Sequence, residues 1–295
     1  MAEEFRPNIL FMGAGAFSVP ILQALMRSQK LRLLQAVSQP DRAAGRKRVL
    51  TPSPLARFAD EAGFPCLRVP SVNPPEFLDH AKALAPDLIV VVSFGQILRE
   101  PILNLPPFGC LNVHASILPK YRGASPIAAA LLNGDMETGV TFMLMEKGLD
   151  SGPILEIHRT PIEPGVPVDV LERNLALLAA DRLESCILRL ISGEARPRPQ
   201  PSSGISVAAK IRKSDGLVDW REDAALLERK VRAYRNWPSM AFRIALKART
   251  ISVKITQASQ TSFGSAEPGK IIAISKEDIM VACGRGSLLL RRIIP

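Results

Sequence analysis

At 295 residues, the chain is long enough for two domains that each have a core of their own. Apolar residues make up 47% and charged residues 22%, and no apolar run approaches the roughly 18 residues that a membrane-spanning helix needs. The composition is typical of a globular protein, and it predicts no association with a membrane.

The cysteines and histidines argue against a metal site. Four cysteines lie far apart without a CxxC pair, and the three histidines form no HExxH motif. Neither a zinc site nor a disulfide framework is indicated, so we expect no metal and a reducing compartment, the cytoplasm. The first ten residues, MAEEFRPNIL, contain two acids and no hydrophobic stretch, which argues against a secretory signal.

The predicted elements of the first two-thirds alternate between strands and helices. NILFMGA, LRLLQAVSQ and the nearly continuous apolar run DLIVVVSF predict strands, and SVPILQALMRS, LARFADEAG and FLDHAKALA predict helices between them. CLNVHAS, TGVTFMLME and GPILEIHRT predict further strands, PIAAALLNG a helix, and a long amphipathic helix ends at Gly193. This alternation predicts a doubly wound, mostly parallel α/β sheet over residues 1–193.

The pattern changes after Gly193. Residues 194–206 begin with EARPRPQPSSG, which is rich in proline and polar residues and predicts an extended linker. Beyond it, the helical run DAALLERKVRAY precedes MAFRIALKARTISVKITQA, KIIAISKEDIMVACG and GSLLLRRII, which alternate apolar and polar residues. Short antiparallel strands of this kind predict a small β-barrel over residues 207–295.

The excess positive charge is concentrated in the last third of the chain. Residues 204–295 contain seventeen Lys/Arg and eight Asp/Glu, a net charge of +9, whereas residues 1–203 have a net charge of only +1. Such asymmetry is typical of proteins that bind a polyanion. A contribution to solubility alone is the alternative.

The glycines of the first turn give a weak nucleotide-binding signal. GAGAFS contains Gly13 and Gly15, but Ser18 stands where a dinucleotide fingerprint has its third glycine, and no acid ends the second strand. A tight turn between strand and helix explains both glycines, so we predict no NAD site.

A basic loop is predicted after the second strand. PDRAAGRKRVL contains one acid and four basic residues, Arg42, Arg46, Lys47 and Arg48. Ligands of an open α/β sheet bind beyond the carboxyl ends of its strands, where this loop is expected. A solvated loop is the alternative, but the position favours contact with a phosphate backbone, to which arginine donates bidentate hydrogen bonds.

Three polar residues indicate transfer of an acyl group to an amine. Asn112 and His114 are two residues apart in a predicted strand and so share one face, and Asp150 lies in a loop after another strand. An amide and an imidazolium can stabilise the oxyanion of a tetrahedral intermediate, and a carboxylate can charge the imidazole and help to move the amine's proton. The alternative for a lone strand histidine is a hydrogen-bonded core residue. Because no serine or cysteine stands in a nucleophile setting, we expect the attacking group to come from the substrate.

LNVHASILPKYRGASPI, together with LDSGPIL, resembles the signature of the folate-dependent formyltransferases, which move a formyl group from 10-formyltetrahydrofolate to an amine. The resemblance assigns the family's catalytic Asn, His and Asp to Asn112, His114 and Asp150, and it implies no metal. It assigns folate binding to residues of two segments, SILP and FGQI: Ser116, Ile117, Leu118, Pro119, Phe94, Gly95 and Ile97.

Within that family, the resemblance is closest to the branch that acts on methionyl-tRNA. QPDRAAGR resembles the basic loop of that branch, and PSPLARFA, VDW and VRAYRNWPSMAF also match it. The resemblance implies formylation of the free amino group of methionine on initiator methionyl-tRNA, in the bacterial cytoplasm, by a monomer whose C-terminal domain is similar to an OB-fold. The basic residues expected to contact tRNA are Arg42, Arg46, Lys47, Arg48, Lys210, Arg212, Lys213 and Arg232.

The sequence departs from the family pattern at three places. GAGAF replaces the usual Gly-Thr-Pro of the first turn, Ala43 stands where proline is usual, and the chain ends at LLLRRIIP, where relatives continue. We therefore expect a C-terminal domain shorter than theirs. Formylation of another amine such as an amino sugar, hydrolysis with water as the nucleophile, and RNA binding without catalysis are the alternatives. The basic last third and the complete trio of Asn, His and Asp favour the enzyme that acts on tRNA.

Overall fold

The computed structural model describes residues 5–45, 47–246, 249–264 and 266–295. The chain forms two compact units, each built from segments that are separate in sequence. The first contains Met1–Gly123, Gly139–Thr160 and Glu172–Val207, and the second contains Ala124–Thr138, Pro161–Leu171 and Ala208–Pro295. The boundaries expected from the sequence, at residues 193 and 206, stay predictions.

The strands in chain order are β1 (Asn8–Gly13), β2 (Arg32–Ser38), β3 (Arg42–Ala44), β4 (Val49–Thr51), β5 (Cys66–Arg68), β6 (Leu88–Val92), β7 (Cys110–His114), β8 (Arg122–Gly123), β9 (Glu137–Leu144), β10 (Ile154–Pro161), β11 (Val207–Ala208), β12 (Met240–Leu246), β13 (Arg249–Thr261), β14 (Ile271–Ile274), β15 (Ile279–Ala282) and β16 (Ser287–Ile294). The helices are α1 (Ser18–Arg27), α2 (Pro54–Glu61), α3 (Pro75–Leu84), α4 (Glu100–Leu103), α5 (Pro126–Asn133), α6 (Val168–Ile191) and α7 (Ala224–Ala233). A short 3-10 helix spans Lys213–Gly216.

The main sheet has seven strands in the order β10-β9-β7-β6-β1-β2-β5. The four pairs from β5 to β7 are parallel, and β9 is antiparallel to β7. All five residues of β6, LIVVV, are buried, as the continuous apolar run predicts. The predicted doubly wound, mostly parallel sheet is therefore confirmed.

The strand order places three loops at one edge of this sheet. The chain moves outward from β1 to β2 and β5, then returns to the other side of β1 for β6 and β7. The strand order therefore reverses at β1, and the carboxyl ends of β1, β6 and β7 lie at the same edge of the sheet. Open α/β sheets bind ligands beyond the carboxyl ends of their strands, at the point where the strand order reverses. Contact between two of these loops is direct, since Gly15 N donates to Ser93 O at 3.3 Å.

The basic segment after β2 is a β-hairpin rather than the predicted loop. β3 and β4 pair antiparallel, with Arg42 opposite Thr51. Gly45 and Arg48 have positive φ angles, +69° and +51°, which close the turn between the two strands. All three residues of β3 are exposed, and in β4 Val49 and Leu50 are exposed and Thr51 is half-buried. Because neither strand has a covered face, the sequence lacks the alternation of apolar and polar residues that predicts a strand.

The second unit contains a five-stranded antiparallel sheet in the order β12-β13-β16-β15-β14. Val253 and Ile255 of β13 and Leu288 and Leu290 of β16 are buried at period two, which is the pattern of a strand with one covered face. The predicted small antiparallel β domain after the linker is confirmed by this sheet.

Two features are absent from the described residues. Over the ranges given above, no helix combines the length and the apolar character that a bilayer crossing requires. Over the same ranges, no group of three or more His, Cys, Asp or Glu side chains is arranged to hold a metal ion.

Candidate active site

Asn112, His114 and Asp150 lie together at the carboxyl end of β7. Asn112 and His114 project from the same face of this buried strand. Asn112 Nδ2 donates to Asp150 Oδ1 at 3.3 Å, and His114 Nδ1 lies 3.7 Å from Asp150 Oδ2. The structure therefore brings together the three residues that the sequence singles out for chemistry.

The carboxylate of Asp150 is fixed from two sides. Gly123 N donates to Asp150 Oδ2 at 2.7 Å, while Oδ1 accepts from Asn112. The backbone of Asp150 has a φ of +47°, in the left-handed region that residues other than glycine rarely adopt. Such a conformation persists only where the surrounding structure enforces it, and it is typical of functional sites.

A backbone carbonyl fixes the tautomer of His114. His114 Nε2 lies 2.9 Å from Tyr121 O, and because a carbonyl oxygen only accepts, Nε2 carries the hydrogen. In the neutral ring, Nδ1 therefore has a free lone pair on the side of Asp150. Nδ1 is the atom that can accept a proton, and the resulting charge would face the carboxylate.

Burial lowers the pKa of His114 below its ordinary value of 6.5, because the imidazolium loses its hydration in this site. The Asp150 carboxylate and the hydrogen bond to the Tyr121 carbonyl act in the opposite direction without reversing the shift. The free site therefore holds a neutral imidazole at pH 7. The imidazolium considered from the sequence forms only when His114 accepts a proton.

The titration of His114 is open to direct measurement, because the chain has only three histidines. In carbon-13 NMR of histidine-labelled protein, we expect the His114 ring to stay neutral at pH 6.5 and to gain its proton only at lower pH. The unfolded chain takes up this proton near its ordinary pKa, so the free energy of unfolding falls as the pH drops below that value. A titration midpoint at or above pH 6.5 would contradict the neutral site.

The turn after β7 is closed by two side-chain hydroxyls. Thr141 Oγ1 donates to Ser116 O at 2.6 Å and accepts from Leu118 N at 3.1 Å. Ser116 Oγ donates to Lys120 O at 2.6 Å. Ser116 and Leu118 are buried, so they shape this turn, and Ile117 and the ring of Pro119 are the more accessible members of the predicted folate segment.

The second predicted folate segment, FGQI, follows β6. Phe94 is 2% exposed and packs in the core with residues such as Met12 and Ile89, whereas Ile97 is 83% exposed. Gly95 has a φ of +72° at the bend between them. Because β6 and β7 are adjacent and parallel, both segments lie at the edge of the sheet that carries His114.

The basic residues predicted to contact tRNA fall into three groups. Those with exposed side chains are Arg42, Lys47, Arg48, Lys210, Arg212 and Lys213. Arg46 lies outside the described residues. Arg232 is only partly exposed, since its guanidinium donates to both carboxylate oxygens of Glu228, at 2.6 and 2.9 Å, and to Val166 O at 3.2 Å. Its charge is thus neutralised within the second unit.

Two family models match the chain. The formyl transferase model matches residues 7–184, and the formyl transferase C-terminal domain model matches residues 210–295. The methionyl-tRNA formyltransferase of Trichlorobacter lovleyi is 39% identical over 286 residues, covering 97% of this chain and 89% of the relative. That of Halorhodospira halophila is 41% identical over 295 residues, covering 98% and 91%.

The chain belongs to the methionyl-tRNA formyltransferase family.

Solved structures share the fold of this formyltransferase at low sequence identity. The N-formyltransferase from Helicobacter canadensis, in complex with folinic acid and dTDP-3-aminofucose, has a TM-score of 0.69 at 16% identity and covers 98% of this chain and 100% of its own. HypX from Aquifex aeolicus, in complex with tetrahydrofolic acid, has a TM-score of 0.67 at 16% identity and covers 98% of this chain and 44% of its own. These likenesses show the fold.

Burial raises the pKa of each of the four cysteine thiols of the formyltransferase, which makes them poor nucleophiles at neutral pH. All four cysteines are free, and Cys110 is the one nearest to Asn112 in sequence. Burial raises the pKa of the Cys110 thiol to about 12, so it stays protonated at neutral pH. The nucleophile is therefore expected from the substrate, and its proton has an acceptor in His114.

Proposed function

We propose that this formyltransferase moves the formyl group of 10-formyltetrahydrofolate to the free amino group of methionine on initiator methionyl-tRNA. The observation that carries the proposal is the contact of Asn112, His114 and Asp150 at the end of β7, in a family whose members are named for this acceptor. We further propose that the enzyme acts as a monomer in the bacterial cytoplasm.

The arrangement at Asp150 supports a proton relay through His114. The amine attacks the formyl carbon, and the developing oxyanion takes a hydrogen bond from Asn112 Nδ2, whose 3.3 Å bond to Asp150 is long enough to be exchanged. His114 Nδ1 accepts the amine's proton, and Asp150 stabilises the imidazolium that forms. The carbon–N10 bond of the folate then breaks, N10 receives the proton from His114, and tetrahydrofolate leaves.

The two segments beside the relay are proposed to bind the folate. Ile97 and Ile117 offer accessible apolar side chains for the flat ring system of the donor, while buried Phe94, Leu118 and Ser116 hold the loops in place. One segment follows β7, the strand that carries His114, and the other follows β6, the neighbouring parallel strand. A donor bound to both segments would therefore place its N10 region near Asn112, His114 and Asp150.

The hairpin of β3 and β4 is proposed to bind the acceptor end of the tRNA. Arg42, Lys47 and Arg48 present positive charge to phosphates, and exposed Val49 and Leu50 give the same hairpin an apolar surface. In the second unit, exposed Lys210, Arg212 and Lys213 are proposed to contact the tRNA backbone.

Neutralising the hairpin should weaken tRNA binding and its dependence on salt. For the triple variant Arg42→Ser, Lys47→Ser and Arg48→Ser, we expect the slope of log Kd against log salt to fall by about 2–3, since each phosphate contact contributes roughly 0.7–0.9. Fluorescence titrations of initiator tRNA at several salt concentrations measure this slope.

The matched control removes three exposed charges at the opposite end of β2, by Arg27→Ser, Lys30→Ser and Arg32→Ser. Its net charge equals that of the hairpin variant, so a general electrostatic effect would lower both slopes equally. The proposal requires the hairpin variant to lose clearly more, and equal slopes would contradict it.

A comparison of acceptors tests the function itself. With labelled 10-formyltetrahydrofolate, we expect formyl transfer to charged initiator tRNA and none to an amino-sugar nucleotide or free methionine. Transfer to the sugar would assign the chain to a different branch of formyltransferases. Release of formate without an acceptor would make it a hydrolase.

A further inference from the structure

Gln200, in the linker, binds the loop that carries Asp150. Gln200 Nε2 donates to Asp150 O and to Gly152 O, both at 2.8 Å. Gln200 Oε1 accepts from Arg122 Nε at 3.1 Å and from Arg122 Nη2 at 2.6 Å. Both amide hydrogens and the amide oxygen are therefore engaged, which fixes the orientation of this side chain.

These contacts belong to one hydrogen-bond network that holds both the backbone and the carboxylate of Asp150. Arg122 precedes Gly123, whose N–H holds Asp150 Oδ2, and Gln200 connects the Arg122 side chain to the backbone of Asp150. The backbone of Asp150 and its carboxylate are thus held by neighbouring parts of one network. This explains how the left-handed conformation of Asp150 is maintained.

On either side of Gln200, the linker is hydrogen-bonded to neighbouring segments at Arg198 and at Ser206. Ile154 and Arg198 exchange backbone hydrogen bonds of 2.7 and 2.8 Å. Ser206 Oγ accepts from Tyr121 N at 2.9 Å, and Ser206 O accepts from Arg122 N at 2.9 Å. Residues 198–206 therefore bind both the turn that contains Tyr121, whose carbonyl bonds His114, and the loop that carries Asp150.

We propose that Gln200 is a positioning residue for formyl transfer, which sets the place of Asp150 relative to His114 and Asn112. The inference rests on the proposed function. Gln200 acts through Asp150, because its polar atoms are all used within the protein. Its loss should therefore impair the chemical step more than the binding of either substrate.

The kinetic test uses Gln200→Leu, which keeps the approximate size of the side chain but removes its hydrogen bonds. We expect kcat to fall tenfold or more, with the KM values for folate donor and tRNA within about threefold of wild type. Gln35→Leu is the matched control, since Gln35 Oε1 bonds His80 Nε2 at 2.7 Å on β2, outside the site. That control should leave kcat within about twofold.

The spectroscopic test follows the three histidine rings by NMR in the absence of substrate. The charged group that acts on His114 is Asp150, which raises its pKa, so displacing Asp150 should lower the pKa of His114 further. We expect Gln200→Leu to shift the His114 titration in the same direction as Asp150→Asn. Gln35→Leu should leave the His114 titration unchanged.

Two results would overturn the proposal: wild-type kcat in Gln200→Leu, or a loss of kcat with the His114 titration unmoved. If Gln200→Leu fails to fold, Gln200→Asn replaces it, since the shorter amide cannot keep all four contacts and should produce the same paired changes. The histidine titration requires no acceptor. It therefore tests Gln200 even if the wild-type chain does not formylate methionyl-tRNA.

Discussion

Replacing His114 with alanine is expected to lower kcat by about a hundredfold or more, which is the usual effect of losing a general acid–base group. The variant lacks Nδ1, the atom beside Asp150 that can accept the amine's proton. The KM values should change little, because the contacts proposed to bind the folate and the tRNA are made by other residues. Single-turnover formyl transfer with saturating substrates measures the effect.

His80→Ala is the control for this change. His80 lies on α3 and bonds Gln35 of β2, so its removal perturbs a histidine hydrogen bond without touching the trio. We expect its kcat to stay within about twofold of wild type. A His114→Ala protein that folds and turns over at the wild-type rate would refute the relay through this imidazole.

Gly152→Ala is expected to destabilise the protein by about 3 kcal/mol and to abolish most of its activity. A Cβ atom at this position would collide with Leu144 O, at the end of β9. A backbone carbonyl cannot swing away as a flexible side chain can, so the loop that carries Asp150 must shift. Its movement would also pull Gly152 O from Gln200. Urea denaturation monitored by circular dichroism measures the loss.

Gly193→Ala separates this collision from the cost of backbone conformation. Gly193 has a φ of +79°, but a Cβ atom there meets nothing within 4 Å. Only strain of about 1–2 kcal/mol is expected from the left-handed conformation. If Gly152→Ala is no less stable than Gly193→Ala, the close contact with Leu144 O is not a constraint on the site.

The sequence was most informative where burial imposes a regular pattern. The apolar run of β6 and the alternation along β13 and β16 reflect one or two covered faces, and both predictions are confirmed. The grouping of Asn112, His114 and Asp150 was predictable in part, because residues two apart on a strand share a face and loops at one sheet edge meet. Their distances depend on the fold.

Two parts of the site gave no readable sequence pattern. The β3–β4 hairpin is exposed on both faces, so nothing selects alternating residues along it. Gln200 donates to the backbone carbonyls of Asp150 and Gly152. Because every residue has a backbone carbonyl, such a contact does not depend on which residues its partners are and cannot be predicted from the sequence. A polar residue in a proline-rich segment therefore predicts a linker and nothing more.

Arg232 shows a signal that charge counting overlooks. Its position on α7 is four residues after Glu228, a spacing that brings opposite charges together on one helix face. The pairing neutralises the arginine, whereas Lys210, Arg212 and Lys213 have no helix partner of this kind and remain exposed. The i,i+4 spacing in the sequence would have predicted this ion pair, and the contact of Arg232 with tRNA stays a prediction.

The most direct measurement is rapid-quench formyl transfer from labelled 10-formyltetrahydrofolate to charged initiator methionyl-tRNA, with charged elongator methionyl-tRNA in parallel. The account predicts formyl-methionyl-tRNA from the initiator by the wild-type enzyme, little from the elongator, and loss of the reaction in His114→Ala. Transfer to neither tRNA by folded wild-type protein that binds the folate, or equal transfer in His114→Ala, would contradict it.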